Sequence, residues 1–276
     1  MLCHYCSHAE RPPKRCAKCD SDHVHFLGTG SEKVEEELHL AFPKARIIRM
    51  DRDTVGGKRG YETILHGFRA HEYDILVGTQ MIAKGLHFPN VTLVGIIYAD
   101  LALHQPDFRA GERLFALLMQ ASGRAGRDAE AAARSEVWVQ TWHPQHPLYA
   151  ALKRHDFAAF AATQLAERES AGLPPYSHLA LLRAEARDLA VASAWLDDAR
   201  AEAAALAESE GVTLYPPVPP PVSRVAGIER MQMLVESEHR ARLQRLLAAW
   251  LPRLHALRGR HKGLARWAID VDPLGI

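Results

Sequence analysis

The chain has 276 residues, 47% hydrophobic and 24% charged, with a formal net charge of +1. This length suits one large domain or two ordinary ones, and the composition excludes a disordered chain, while near-neutral charge neither requires nor excludes nucleic acid. No apolar run is long enough for a membrane helix and Met1-Leu2-Cys3-His4 opens no signal-like segment, so no membrane partner and a cytoplasmic location are expected.

The chain opens on its four cysteines, Cys3-x-x-Cys6 and Cys16-x-x-Cys19. A Cys-x-x-Cys turn sets two thiolates close enough to share an ion, and two such pairs complete a tetrahedral zinc site. Arg11, Lys14, Arg15 and Lys18 offset the thiolate charge. Residues 1–22 have almost no apolar periodicity, which favours metal over four unligated thiols. Cys3, Cys6, Cys16 and Cys19 are therefore the candidate ligands, in a structural rather than a catalytic role.

Residues 23–172 alternate short apolar runs with helical patterns. Strands are predicted at His25–Gly28, Arg46–Met50, Asp74–Gly78, Thr92–Tyr98 and Glu136–Thr141. Helices are predicted at Ser31–Phe42, Lys58–Arg69, Arg109–Ser122 and Pro147–Ala171, with Ser31 as an N-cap. Strands separated by helices imply βαβ units and a parallel sheet. Leu173-Pro174-Pro175 reads as a boundary. Residues 173–276 then give a strand (Leu179–Ala186), an Ala-rich helix (Ala190–Glu210) and a Pro-rich joint (Pro216–Pro221). A strand (Met231–Glu236), a helix (Glu238–Leu257) and a last strand (Ala265–Asp270) follow. This order predicts a small α+β domain with its helices on one sheet face.

The motif Gln120-Ala-Ser-Gly-Arg-Ala-Gly-Arg127 carries the clearest chemistry. Arg124 and Arg127, three apart after Gly123, can point the same way, and a guanidinium aimed at a γ-phosphate stabilises the charge that develops in phosphoryl transfer. Arg124, Arg127 and Gln120 are the catalytic candidates of a RecA-like motor lobe. A solvated basic helix end is the plainer alternative. Val77–Gly85 follows a strand with Gly78-Thr79-Gln80, so a hydroxyl, an amide and free N–H groups face the carboxyl edge of a sheet, where open α/β sheets bind ligands. Thr79 and Gln80 suit the phosphates of a nucleic-acid strand or of a nucleotide; an ordinary strand-to-helix turn is the plainer alternative. Gly85 and Gly123 are expected on the nucleotide side. Gly28-Thr-Gly-Ser-Glu32 is either an anion cradle, with Gly30 and Ser31 meeting DNA, or a tight turn. Gly56-Gly-Lys58 is followed by Arg59, so it is no P-loop, and no Asp-Glu-x-His magnesium box occurs. The chain thus offers one wall of an ATP site. Asp100, Asp107, Phe108, Arg109, Glu112 and Arg113 form a polar cluster that either positions DNA or another lobe, or only orders a loop. The sixteen histidines are read as surface or packing residues.

Cys3-His-Tyr-Cys6, Gly28–Glu32, Asp51-Arg-Asp-Thr54, Asp74–Gly85, Phe88–Leu93, Asp107-Phe-Arg-Ala110, Gln120–Arg127, Leu173-Pro-Pro175 and Asp270-Val-Asp-Pro273 stand in one order. That order resembles the primosomal protein N′ family of replication restart helicases, the PriA type, over essentially the whole chain. The resemblance implies a DNA-dependent ATPase that unwinds 3′ to 5′, recognises forked and single-stranded DNA, and works with primosome proteins and the tail of single-strand binding protein. It implies a second helicase lobe at 23–172, ATP with magnesium held mainly by a first lobe that is missing here, and zinc. In the family Cys3 and Cys6 would share one zinc, and Cys16 and Cys19 another, with upstream pairs that are also missing; here the four could close a single site or bind metal poorly. Ser31 stands where Thr is usual, Ser122 where Ala or Gly is, and Leu86 where His is. A start at Met1 inside the zinc module suggests a truncated gene or a misassigned start. The alternative reading is a non-enzymatic, zinc-containing DNA or primosome adaptor that uses Arg240, Arg242, Arg245, Arg258, Arg260 and Lys262, with Arg240 and Gln244 meeting an acidic peptide. Those charges could equally be a solvated helix face.

Overall fold

The computed structural model describes residues 15–16, 18–22, 30–51, 54–55, 58–83, 88, 91–105, 107–123 and 135–276. Contacts group the chain into two compact units, one of His23–Ala162 and one that contains Thr163–Ile276.

In the first unit, α1 (Ser31–Ala41) is preceded by Gly30 in extended backbone at the N-cap, with no side-chain cap. Ser31 is therefore not the cap its sequence position suggests: it is the first helical residue, and its hydroxyl donates to Asp51 Oδ2 at 2.5 Å. Strand β1 (Ile47–Met50) leads through α2 (Lys58–Arg69) to β2 (Ile75–Gly78), which pairs parallel to it with Met50 opposite Gly78. A Cβ on Gly78 would lie 2.6 Å from the Met50 carbonyl oxygen, so only glycine lets the two strand ends come this close. Met50, Leu65 and Phe88 form the core here, with Phe68 edge-on to Phe88 at 5.2 Å.

Strand β2 runs into a single turn, α3 (Gln80–Ala83). The second parallel pair joins β3 (Leu93–Ile96) to β4 (Glu136–Val139), with α4 (Asp100–Leu103) and α5 (Ala110–Ser122) between them in sequence. Helix α5 buries Ala110, Leu114, Phe115, Leu118 and Ala121, a stripe at three- and four-residue spacing. The stripe belongs to a core with Leu148 and Tyr149 of α6 (Pro147–Lys153) and Phe160 of α7 (Phe157–Ser170). Phe115 and Phe160 stack at 4.2 Å. The long helix expected over Pro147–Ala171 is thus two helices. His155 takes a positive φ of 53°, and Asp156 Oδ1 accepts from the Ala159 amide at 2.9 Å, which starts the next helix. His25–Gly28 lies outside the described residues.

The second unit is an antiparallel sheet with its two helices packed on one face. Its strands are β5 (His178–Ala186), β6 (Thr213–Leu214), β7 (Arg224–Val225), β8 (Ile228–Ser237) and β9 (Leu264–Val271), in the order β6-β8-β5-β9 with β7 beside β8. Helix α8 (Leu189–Glu210) starts where the Asp188 side chain caps the Ala190 amide and stops at Gly211, whose φ is +62°. Ala192, Ala199, Ala203 and Ala207 are buried on it, small residues that leave room for α9 (Arg240–Arg258). Trp195 and Trp250 are fully buried in the shared core, and Trp250 Nε1 donates to the Ala199 carbonyl at 3.1 Å. In the sheet, Glu185 lies opposite Arg230 on one neighbouring strand and Arg266 on the other, and pairs with both. The α+β fold with helices on one face is as expected.

Candidate functional site

Because β1 and β2 run parallel with Met50 beside Gly78, the residues that follow them emerge at one sheet edge. Asp51 organises that edge. It is 5% exposed. Its Oδ2 accepts from Ser31 Oγ at 2.5 Å and from Arg49 Nη1 at 2.7 Å, and its Oδ1 accepts from the Thr54 amide at 2.9 Å. The Thr54 hydroxyl accepts from the Asp51 amide at 2.9 Å, closing an Asp-x-x-Thr turn. Arg49 is held from behind by Glu35, Nε to Oε2 at 2.9 Å. Burial opposes ionisation of Asp51, yet the hydrogen bonds from Ser31 and Thr54 and the charge on Arg49 prevail and lower it to about 2. Asp51 thus stays an anion that ties the start of α1 to the end of β1.

Gly30 is exposed beside this anchor, and Thr79 and Gln80 are exposed just past β2. The Thr79 carbonyl accepts from the Ile82 amide at 3.1 Å. Four predicted positions, Gly30, Ser31, Thr79 and Gln80, therefore share the carboxyl edge of one strand pair. Sequence reasoning gave no role to Asp51. The Asp-x-x-Thr spacing carried that signal, since Asp and Thr at this separation close a side-chain turn.

At the carboxyl edge of the other pair, Asp100 accepts from Thr141 Oγ1 at 2.6 Å and from the Trp142 amide at 2.8 Å. Burial again opposes ionisation, but these bonds and nearby His143 and His104 hold Asp100 below its ordinary range. Asp107 is engaged separately: it caps the Arg109 amide at 2.8 Å and pairs with Arg113 at 2.9 Å. The polar cluster read from sequence is thus two local networks. His104 and His143 are exposed, as expected of surface histidines, but their rings meet edge-to-face at 5.0 Å beside Asp100.

Gln120 and Gly123, within the arginine motif, are exposed at the end of α5. Arg124 and Arg127, like Gly85, Cys3 and Cys6, lie outside the described residues. Cys16 and Cys19 are free thiols in a turn where the Cys16 amide donates to the Ser21 carbonyl at 2.9 Å and its carbonyl accepts from the Asp20 amide at 2.8 Å. Backbone N–H groups of Lys18 and Cys19 also reach the Cys16 sulfur and lower its pKa, with a further hydrogen bond from the Cys19 side chain. A sulfur already surrounded by donors favours thiolate, so the turn fits a metal ligand. Elsewhere, Arg240 pairs with Asp272 at 3.1 Å, Arg245 forks onto Glu210 at 2.8 Å, and Arg260 pairs with Glu202. Three of the six charges of the expected basic face are thereby matched within the domain.

Two domain families match the two units. The helicase conserved C-terminal domain matches residues 21–129, and the primosomal protein N C-terminal domain matches residues 169–274. The chain therefore joins a RecA-like second helicase lobe to a primosomal C-terminal domain. Replication restart protein PriA of Bacillus subtilis (strain 168) is 40% identical over 273 residues, 99% of this chain and 33% of that protein. PriA of Haemophilus influenzae is 38% identical over 99% of this chain and 36% of its own length, and PriA of Synechocystis is 38% identical over 100% and 32%. The chain belongs to the PriA family and spans about a third of the length of these curated relatives. Among the described residues no helix is long and apolar enough to cross a membrane.

Proposed function

We propose that this chain supplies the second motor lobe and C-terminal domain of an ATP-dependent 3′–5′ DNA helicase that restarts stalled replication forks in the cytoplasm. The observation that carries this reading is the sheet edge where Asp51 fixes Ser31 and where Thr79 and Gln80 stand exposed. Such an edge offers hydroxyl, amide and backbone donors to a phosphate chain. Gly30, Ser31, Thr79 and Gln80 take DNA phosphates. Gln120, Arg124 and Arg127 act on the nucleotide held by a first lobe, with Gly85 and Gly123 as further nucleotide-binding positions. Magnesium-bound ATP supplies the phosphoryl group, and the two guanidinium groups offset charge that spreads over it in transfer. Cys16 and Cys19, together with Cys3 and Cys6, would hold zinc, which supplies a fixed tetrahedral crosslink. Forked and single-stranded DNA, primosome proteins and single-strand binding protein are the partners this reading calls for.

The test grafts this chain onto the N-terminal part of Bacillus subtilis PriA in place of the matching segment. Arg127→Ala should lower DNA-stimulated ATP hydrolysis by about a thousandfold or more, the usual worth of an arginine finger, and leave DNA affinity unchanged. Unaltered turnover would remove the finger role. The adaptor alternative has less support, since Arg240, Arg245 and Arg260 already have acidic partners. A titration of the isolated chain with forked DNA that gives no binding would eliminate it.

A further inference from the structure

Asp100, His104 and His143 have no part in the reading above. We propose that they form a binding site for a transition-metal dication of the Zn²⁺ class. Their three candidate ligand atoms all lie within 4.8 Å of one another. Bonds of about 2.0–2.2 Å to imidazole nitrogen and carboxylate oxygen place neighbouring ligands of a tetrahedral ion about 3.4 Å apart. Both histidines are exposed, so small side-chain rotations close the difference.

The cluster is partly assembled before any ion arrives. Asp100 opens α4 and His104 follows its last residue, four positions on, so both fall on one face of the turn. His143 arrives from the loop after β4, and its amide donates to Thr141 Oγ1 at 2.9 Å. The same hydroxyl donates to Asp100 Oδ1 at 2.6 Å, and the Trp142 amide donates to Oδ2 at 2.8 Å. One carboxylate is thereby oriented by two donors, as outer partners orient metal ligands, and the His143 backbone is tied to the same hydroxyl. The two rings meet at 5.0 Å and 75°, leaving a shared approach for an ion beside the carboxylate. Two imidazoles and one carboxylate suit zinc, and three protein ligands leave a coordination position open to water. The ion would clasp the loops that follow β3 and β4.

The test uses the full chain, equilibrated with Zn²⁺ and assayed for bound metal by mass spectrometry after dialysis. The parent protein should hold one equivalent more than the His104→Ala/His143→Ala variant, while His39→Ala should match the parent. Equal zinc content in parent and double variant overturns the site. A second measurement does not depend on any variant folding. In the unaltered chain, Zn²⁺ should shift the side-chain nitrogen resonances of His104 and His143 together, and resonances that stay put overturn it equally. Neither readout involves DNA or ATP, so failure here leaves the helicase reading standing.

Discussion

Replacing Asp51 with asparagine keeps the shape of the side chain and removes its charge. In the native lobe the carboxyl is lowered from 3.8 to about 2, which is worth about 2 kcal/mol of stability at neutral pH. The side chain is almost fully buried, so solvent does little to dilute this figure. The folded pKa lies below the unfolded one. The contribution is therefore complete above about pH 5 and disappears as pH falls through 4 towards 2. Native-state hydrogen exchange of peptides spanning β1 reads the opening free energy of this region without interference from the second unit. Asp51→Asn should lower that free energy by about 2 kcal/mol at pH 7, and the gap from the parent should shrink as the medium is acidified from pH 5. A gap that is absent at pH 7, or that is the same at both ends of the range, would refute the reasoning.

Gly78→Ala should cost about 1–3 kcal/mol, because the added carbon meets the Met50 carbonyl and the strand ends must part; loss of exchange protection in β1 and β2 measures it. Trp250→Ala should destabilise the second unit by about 3–5 kcal/mol through the cavity and the lost bond to Ala199, read by urea unfolding of that unit while protection in β1 is unchanged. Glu210→Gln should lower the urea midpoint of the second unit only slightly, and by less at high salt, because its Arg245 partner lies at the surface. Cys16→Ser should lower the zinc retained after dialysis; full retention would exclude Cys16 as a ligand.

The long helices were legible because their apolar spacing is unambiguous: the helix expected over Lys58–Arg69 has those bounds in the structure. The antiparallel strands of the second unit were placed correctly and drawn short, since β8 extends to Ile228 through half-buried Glu229 and Arg230 and to buried Ser237, polar residues that break a simple apolar pattern. The two-residue strands β6 and β7 were not legible, being too short to show a period. The break at His155 depends on one left-handed residue, which apolar spacing does not report. The exposed positions of Thr79 and Gln80 past β2 were legible because the strand before them is strongly apolar. Asp51 was not given a role because its partner Ser31 stands twenty positions away. His104 and His143 were set aside for the same reason: only the parallel pairing of β3 with β4 brings their loops together.

The order β6-β8-β5-β9 carries a consequence for synthesis. Strand β5 is the first of its sheet to be made, and one flank of it is completed only by β9, with Ala180 opposite Val271. That pairing closes a span of about 90 residues, a contact whose loop entropy must be met before it contributes. Until Leu264–Val271 leaves the ribosome, the strand that contributes most buried residues to the sheet has an open edge. The α8–α9 layer can cover its face in the meantime, but not that edge. A ribosome that pauses before Leu264 would therefore hold a nascent chain with its stickiest backbone exposed, and chaperone binding should concentrate in that interval.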